Sequence, residues 1–457
     1  MEPDLDRLLH PDVTGSYFPQ FSEEWKSLCE RVSRDLLVVT SNSSQRCRVA
    51  LNTRDPARFA SCFVALSLQD VDLFLFNPSW AASETSQVQA VAKPSWVISD
   101  DNVRQFGEPT DSSNAEIKGL RIMIPTGGTS GSVKFAIHDW STLSAAAYGL
   151  QMHFGCELIS SHCVLPLYHV SGFMQMIRAI LTRGCVYFSE SANFGNVSNS
   201  MTRGEESVRF LSLVPTQLER LLRSDENMSL LHEYDAIFVG GGPVPVQLLE
   251  RCRETGIPLA PTYGMTETAA QVATQKPSDF LKGESGQGHA LPHLQIEVLD
   301  MDSEEMADAK QVGRIRLRGT SLFHGYFGEP AGQPGYFDTS DLGQLDESGK
   351  LSVFGRSDQI IISGGEKIHP REVEEAIEKT NLVEDVAVLG VDDPEWGQKV
   401  VAGYVPKGDF VTESGLKSSL EGQLSTFKIP KSWKALKALP RNEAGKLDRK
   451  TLQQLVN

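Results

Sequence analysis

The sequence predicts an α/β protein in three parts: a large N-terminal domain of layered αβα sheets, a small barrel-like β part, and a small α+β C-terminal domain. Three observations predict it. The chain has 457 residues, more than one hydrophobic core organises, so two or more domains are expected. From about residue 120 to residue 280, short apolar strands alternate with segments of helical pattern, as in a layered sheet with helices on its faces. Beyond residue 280 the strands become polar-alternating and are separated by glycine turns, the pattern of a twisted antiparallel piece.

Each element is read in turn. Residues 1–120 mix helices with short strands such as "DLFLF" (72–76) and "SWVISD" (95–100). "LRIMI" (120–124) reads as a buried strand and "VKFAIHD" (133–139) as another, so the small-residue stretch between them joins two strands and does not open a helix. "STLSAAAYGLQMHFG" offers Ser141 as a helix N-cap and Gly155 as a stop. "CVLPL", "CVYFSE", "RFLSLV" and "AIFVGGGP" are expected to be further strands, with "PTQLERLLRS" a helix among them. "QIEVLD", "GRIRLRG" and "GKLSVFGR" form the polar-alternating set. The last unit holds a glycine pair, the amphipathic helix "PREVEEAIEKT", strands around "DVAVLGV" and "KVVAGYV", and a terminal helix. The boundary falls at Arg356–Gln359, giving domains 1–356 and 357–457.

Composition excludes several classes of function. A formal charge of −16 argues against a nucleic-acid binder but leaves room for anionic small ligands met by local cations. The seven cysteines are scattered with no CxxC pair, so neither a disulfide framework nor a zinc site is indicated and a reducing cytoplasm fits. The longest apolar runs are too short to span a bilayer, and "MEPDLDRLLHPDV" is acidic and interrupted, unlike a signal peptide.

"PTGGTSGSVK" (125–134) cannot pack a core. Its small residues let backbone N–H groups approach an anion and its lysine adds charge, so a phosphate is the natural occupant. It is not the GxxxxGK[ST] loop, because Ser132 and Val133 separate Gly131 from Lys134. A flexible surface loop is the plain alternative. In "YGMTET" (263–268), Thr266 sits beside Glu267, a hydroxyl for a phosphate oxygen next to a carboxylate for a hard divalent cation. "YFDTSDLG" places Asp341 where two oxygens meet vicinal hydroxyls of a ribose. "GRSDQIIISGGEKIHPREVE" and "PRNEAGKLDRK" complete the set. Each block alone has a plain structural reading: a capped helix start, a hairpin with a paired arginine, a turn with a solvated lysine.

In this order, from about Leu120 to Lys446, the blocks resemble the adenylate-forming superfamily of acyl- and aryl-CoA ligases, firefly-type luciferases and peptide-synthetase adenylation domains. The resemblance implies ATP and Mg²⁺ as cofactors and CoA as co-substrate. It implies that Thr126, Gly127, Gly128, Thr129, Ser130, Gly131 and Lys134 hold the ATP phosphates, although Gly127-Gly128 stands where the family usually has serine-glycine and Val133 where it has proline. Gly240, Gly241, Gly242 and Pro243 match the turn along adenine, and Tyr263 the ring stacked on it. Asp341 and Arg356 match the ribose ligands, Glu267 the metal ligand, and Lys446 the lysine at the carboxylate and α-phosphate. Asp358 matches the hinge of a mobile C-terminal domain, whose Gly364–Gly365 hairpin faces the site in the CoA step.

Within the superfamily, "LPLYHVSGFMQMIRAILTRG" (165–184) looks most like the o-succinylbenzoate–CoA ligases of menaquinone and phylloquinone biosynthesis. Their acid carries a second carboxylate that needs a cation or donors. Arg178, in an otherwise apolar helix, is the candidate, with Ser171 and Gly264 also on the acid side and His169 at the acyl–nucleotide interface. The bland readings are an arginine that snorkels to solvent and a satisfied core histidine. Alternatives at this stage are a CoA ligase for another aryl or short-chain acid, a stand-alone adenylation protein loading a carrier, or a non-catalytic homologue; the last is expected to lose Glu267 or Lys446, and both are present. Oligomeric state is open.

Overall fold

The first sheet runs, edge to edge, Val103–Gln105, Trp96–Ser99, Cys47–Asn52, Val71–Leu75, Arg121–Gly127 and Val133–His138. Its four middle strands are parallel and each outer strand is antiparallel to its neighbour. The computed structural model describes Phe18 and residues 46–107, 119–127, 133–189, 207–303, 305–330, 335–408, 410–441 and 445–456. Strand Val71–Leu75 is apolar at successive positions because both of its faces are covered. Leu73 and Leu75 join one cluster, Phe74 and Phe76 another. Asp72 interrupts that pattern, fully buried, and the Arg121 guanidinium holds it at 2.6 Å.

The second sheet runs His289–Ala290, Ala270–Thr274, Leu259–Met265, Ala236–Val239, Ser207–Leu213, Leu158–Cys163 and Val186–Phe188. The last five are parallel; the first two are antiparallel additions. Helices Trp140–Phe154 and Val170–Thr182 form the layer between the sheets. Trp140, Leu143, Phe173 and Ile177 pack with Leu73 and Ile122 of the first sheet, while Leu150 and Phe154 pack with Ile159, Phe210 and Phe238 of the second.

Two local expectations are corrected. The N-cap of helix Trp140–Phe154 is Asp139, not Ser141: the Asp139 carboxylate accepts the Thr142 amide at 3.0 Å, and Ser141 already lies in the first turn. A carboxylate is a stronger acceptor at the positive end of a helix than a hydroxyl. Gly155 does end that helix, at φ 64°. "CVLPL" is not a strand; the strand is Leu158–Cys163 and pairing stops before Pro166, which has no N–H to give.

The third sheet is antiparallel, Leu294–Leu299, Gly313–Gly319, Phe337–Leu345 and Leu351–Arg356, and a bridge from Gly288 to Leu351 ties it to the second. Its last strand passes directly into the 3-10 turn Ser357–Gln359 and then to Ile361–Ser363 of the fourth sheet. There Gly397–Pro406 pairs with Val383–Asp393, Ile361–Ser363 and the parallel strand Ser432–Ala435, and helix Pro370–Lys379 covers one face. The apolar clusters on either side of residues 357–360 share no residue. Six of the seven cysteines lie among the described residues and are free thiols, and no described helix is long and apolar enough to cross a membrane.

Candidate active site

Strands Arg121–Gly127 and Val133–His138 form a hairpin in which Thr126 faces Lys134. Gly128, Thr129, Ser130 and Gly131, which the resemblance assigns to the ATP phosphates, lie outside the described residues. Lys134 pairs with Glu329 at 2.8 Å and stands 4.8 Å from the centre of the Tyr326 ring. Both charged side chains are more than a third exposed, so the pair is worth about 1 kcal/mol or less.

Strand Leu259–Met265 ends in the 3-10 turn Thr266–Thr268, after which Ala269 and Ala270 take φ of 51° and 91°. Such values are costly for alanine and are held here by the surroundings. Thr268 Oγ1 donates to the Ala270 carbonyl at 2.8 Å, and His138 Nε2 donates to the Thr266 carbonyl at 2.8 Å. Burial pushes the His138 imidazole down to about 4, so it is a neutral strut. Glu267 is buried and its Oε1 accepts the Tyr326 hydroxyl at 2.7 Å. Among the described residues no cluster of three or more His, Cys, Asp or Glu forms a protein cage for a metal. A single oriented carboxylate is what Mg²⁺ uses when phosphate oxygens and waters complete its shell, so Glu267 fits that ion.

Across the site, Tyr263 donates its hydroxyl to Asp341 Oδ2 at 2.7 Å. Burial, then the neighbouring Asp341 charge, holds the phenol well above its usual pKa, and burial raises Asp341 too. Arg356 is the cross-strand partner of Asp341, with Nη1 3.8 Å from its carboxylate, but its Nε and Nη2 are directed to Asp358 at 3.1 and 3.3 Å. The two expected ribose ligands and the expected hinge residue therefore form one ionic chain. Gly240 is tightly placed, since a Cβ there would lie 2.8 Å from the Thr262 carbonyl, and Gly241 needs its φ of 80°. Gly242 and Pro243 continue the turn, exposed.

Lys446 comes to this site from the far end of the chain. The preceding Gly445 takes φ 73°, and a Cβ on it would stand 2.9 Å from Thr216 Oγ1 at the start of helix Pro215–Leu221. The lysine-bearing turn thus rests on the large domain. The ammonium lies close enough to act on both Asp341 and His169. His169 precedes helix Val170–Thr182, half-buried; burial first and Lys446 second push its imidazole down to about 4, leaving it neutral.

Helix Val170–Thr182 carries a polar stripe through an apolar core: Ser171, Gln175, Arg178 and Thr182, spaced four, three and four residues apart. Ser171 is exposed, and Gln175, Arg178 and Thr182 are buried. Arg178 does not snorkel. Its Nη2 donates to Gln271 Oε1, its Nε lacks a partner, and no carboxylate pairs with it among the described residues. Burial pushes its guanidinium down to about 9. His293 lies nearby, its imidazole lowered to about 4 by burial and then by Arg178. Sequence reasoning missed Gln175, Gln271 and His293. One signal was present: Gly149 in the middle of a helix, where a Cβ would fall 1.7 Å from His293 Nδ1.

Gly264 sits at a register shift where a Cβ would meet the Ala270 carbonyl at 2.0 Å, so close strand approach alone requires glycine there. Gly364 and Gly365, with φ of 59° and 87°, make the tight turn of the hairpin Ile361–Ser363 and Glu366–Ile368; the Gly364 amide donates to the Trp396 carbonyl at 2.9 Å.

The sequence profile of the AMP-binding enzyme family matches residues 36–327, and that of the AMP-binding enzyme C-terminal domain matches residues 372–446. The chain belongs to the AMP-binding enzyme family. Among the family's curated members, 2-succinylbenzoate–CoA ligase of Listeria innocua is 32% identical over 98% of this chain and 97% of its own. The Bacillus anthracis enzyme of the same name is 29% identical over 96% and 93%. Among solved structures, o-succinylbenzoate CoA synthetase from Bacillus subtilis in complex with its acyl-adenylate intermediate superposes with a TM-score of 0.79 at 25% identity, covering 94% of this chain and 93% of that one. ATP-bound MatB from Rhodopseudomonas palustris, at 22% identity, shares the fold with a TM-score of 0.83 over 99% of both chains.

Proposed function

We propose that the protein joins 2-succinylbenzoate to CoA, converting ATP to AMP and pyrophosphate through an acyl-adenylate. The Listeria and Bacillus relatives carry that name, and the observation in this chain that supports the substrate is buried Arg178, a cation without a carboxylate partner among the described residues, beside amide and imidazole groups. A dicarboxylic acid entering past Ser171 puts its unreacted carboxylate at Arg178 and leaves the other near His169 and Lys446.

Mg²⁺ held by Glu267 and the triphosphate offsets phosphoryl charge when bound. Thr126, the glycine loop and Lys134 receive the β- and γ-phosphates; Asp341 and Arg356 receive the ribose; the Gly240–Pro243 turn and Tyr263 receive adenine. Lys446 neutralises the approach of the acid carboxylate to the α-phosphorus, where its oxygen bonds as pyrophosphate departs. No general base is needed, because the carboxylate is ionised at neutral pH. His169, kept neutral, adds no second cation that would trap the adenylate. The CoA thiol then attacks the acyl carbon and AMP leaves. The domain division at residues 356–357 and the hinge at Asp358 belong to this reading, as does a cytoplasmic location where ATP and CoA are available.

ATP–pyrophosphate exchange with a panel of acids tests it. Exchange should be fastest with 2-succinylbenzoate; higher kcat/KM with benzoate or simple fatty acids leaves a CoA ligase for a different acid.

A further inference from the structure

Helix Val246–Glu254 begins immediately after the adenine turn, and its own sequence gives it no cap: the residue before it is Pro245, with no side-chain acceptor. Four amides at such an end need partners. The acceptor comes from the C-terminal domain. Glu378 Oε2 accepts the Val246 amide at 3.2 Å, and the Glu378 carbonyl accepts Gln247 Nε2 at 2.6 Å. Arg371, one face of the same small-domain helix, grips Glu378 at 2.8 Å and donates to the Val244 carbonyl at 3.3 Å. Glu378 is buried and Arg371 nearly so, with Glu374 and Glu375 also on the arginine. A carboxylate at the positive end of a helix, fixed by an arginine, is favourable only while both helices stay in register.

We infer that Glu378 and Arg371 form a cross-domain cap, a latch that positions Lys446 for adenylation and must open before CoA attacks. The inference rests on the proposed two-step reaction. The latch closes on Val244 and Val246, directly after Gly240–Pro243, so a nucleotide ordering that turn also orders the latch. Glu378 and Arg371 are positioning residues: they act through the placement of Lys446 and touch no substrate.

Val246→Pro tests this with little disturbance. Proline is favoured in the first turn of a helix and lacks only the N–H that Glu378 accepts. Pro245, at φ −58° and ψ 139°, already has the conformation that a following proline demands. Gln247→Ala removes the second contact. Losing a hydrogen bond to a charged group should lower single-turnover acyl-adenylate formation about tenfold for Val246→Pro, and further for the double variant. Thioester formation from prepared acyl-adenylate and CoA should stay unchanged or rise up to severalfold. An unchanged ratio of the two half-reactions, whether both hold or both fall, overturns the latch. Wild-type exchange with the acid panel is read separately, so a wrong substrate shows there and leaves the ratio interpretable with whichever acid works.

Discussion

Arg178→Met should move stability and substrate affinity in opposite directions. The guanidinium is buried with Gln271 as its one side-chain partner among the described residues, and burial lowers its pKa to about 9 from 12.5, equivalent to roughly 5 kcal/mol of lost hydration at ~1.4 kcal/mol per pH unit. Methionine of similar length removes that cost and leaves Gln271 Oε1 without a donor, which costs about 1–3 kcal/mol. The variant should therefore be about 2–4 kcal/mol more stable than the parent, as replacements of buried ions by apolar groups often are. The acid, however, loses a charge-assisted contact of about 1.5–3 kcal/mol, so its KM should rise ten- to a hundredfold while the KM for ATP stays near normal. Urea denaturation measures the first effect and pyrophosphate release the second. A loss of several kcal/mol in stability, or equal damage with an analogue lacking the distal carboxylate, would refute the reasoning and make Arg178 a packing residue.

Lys446→Ala should cut acyl-adenylate formation by about two to three orders of magnitude, the scale for one charge-stabilising group, yet leave conversion of prepared adenylate to thioester near normal in stopped-flow measurements. Gly149→Ala should destabilise the protein by roughly 1–3 kcal/mol despite the better helix former, because its Cβ meets His293 Nδ1 at 1.7 Å, and it should also raise the KM for the acid. His138, fully buried and neutral at a pKa of about 4, binds its proton more readily when unfolded, so its share of stability is present above about pH 6.5 and is lost as pH falls toward 4. That share reaches roughly 3 kcal/mol, and His138→Gln should flatten the acid limb of stability measured between pH 7 and 4.

The parts of this protein that were legible in the sequence are those where one residue type answers one local demand. "DLFLF" is apolar at successive positions because both faces of its strand are covered, and Gly155 stops a helix because it alone takes φ 64° without strain. The set from Thr126 to Lys446 was read through its order; of its described members, Tyr263 bonds Asp341, Lys446 acts on Asp341, and Tyr326 holds Glu267. The misreadings share a cause. Ser141 and Asp139 are both good caps, and only the backbone direction entering the helix chooses between them. Gln271 and His293 are chemically ordinary until folding carries them from a distant strand and turn to Arg178, and the cap on Val246 is 132 residues away in sequence. Long-range pairing of this kind leaves no periodic trace in a single chain.

The stripe on helix Val170–Thr182 also sets a length scale. Ser171 and Arg178 are seven residues apart, two helical turns or about 10.5 Å of rigid rod. A helix offers same-face positions only at whole-turn spacing, about 5.4 Å apart, so this rod works as a graduated ruler, not a sliding gauge. In the proposed binding mode, acids read against it differ by graduations: a diacid one turn shorter would leave its far carboxylate at Gln175, an amide, and not at the guanidinium. Selectivity for acid length would then be written into backbone geometry, and a relative that accepts a shorter or longer diacid is expected to carry its cation one turn along the same face.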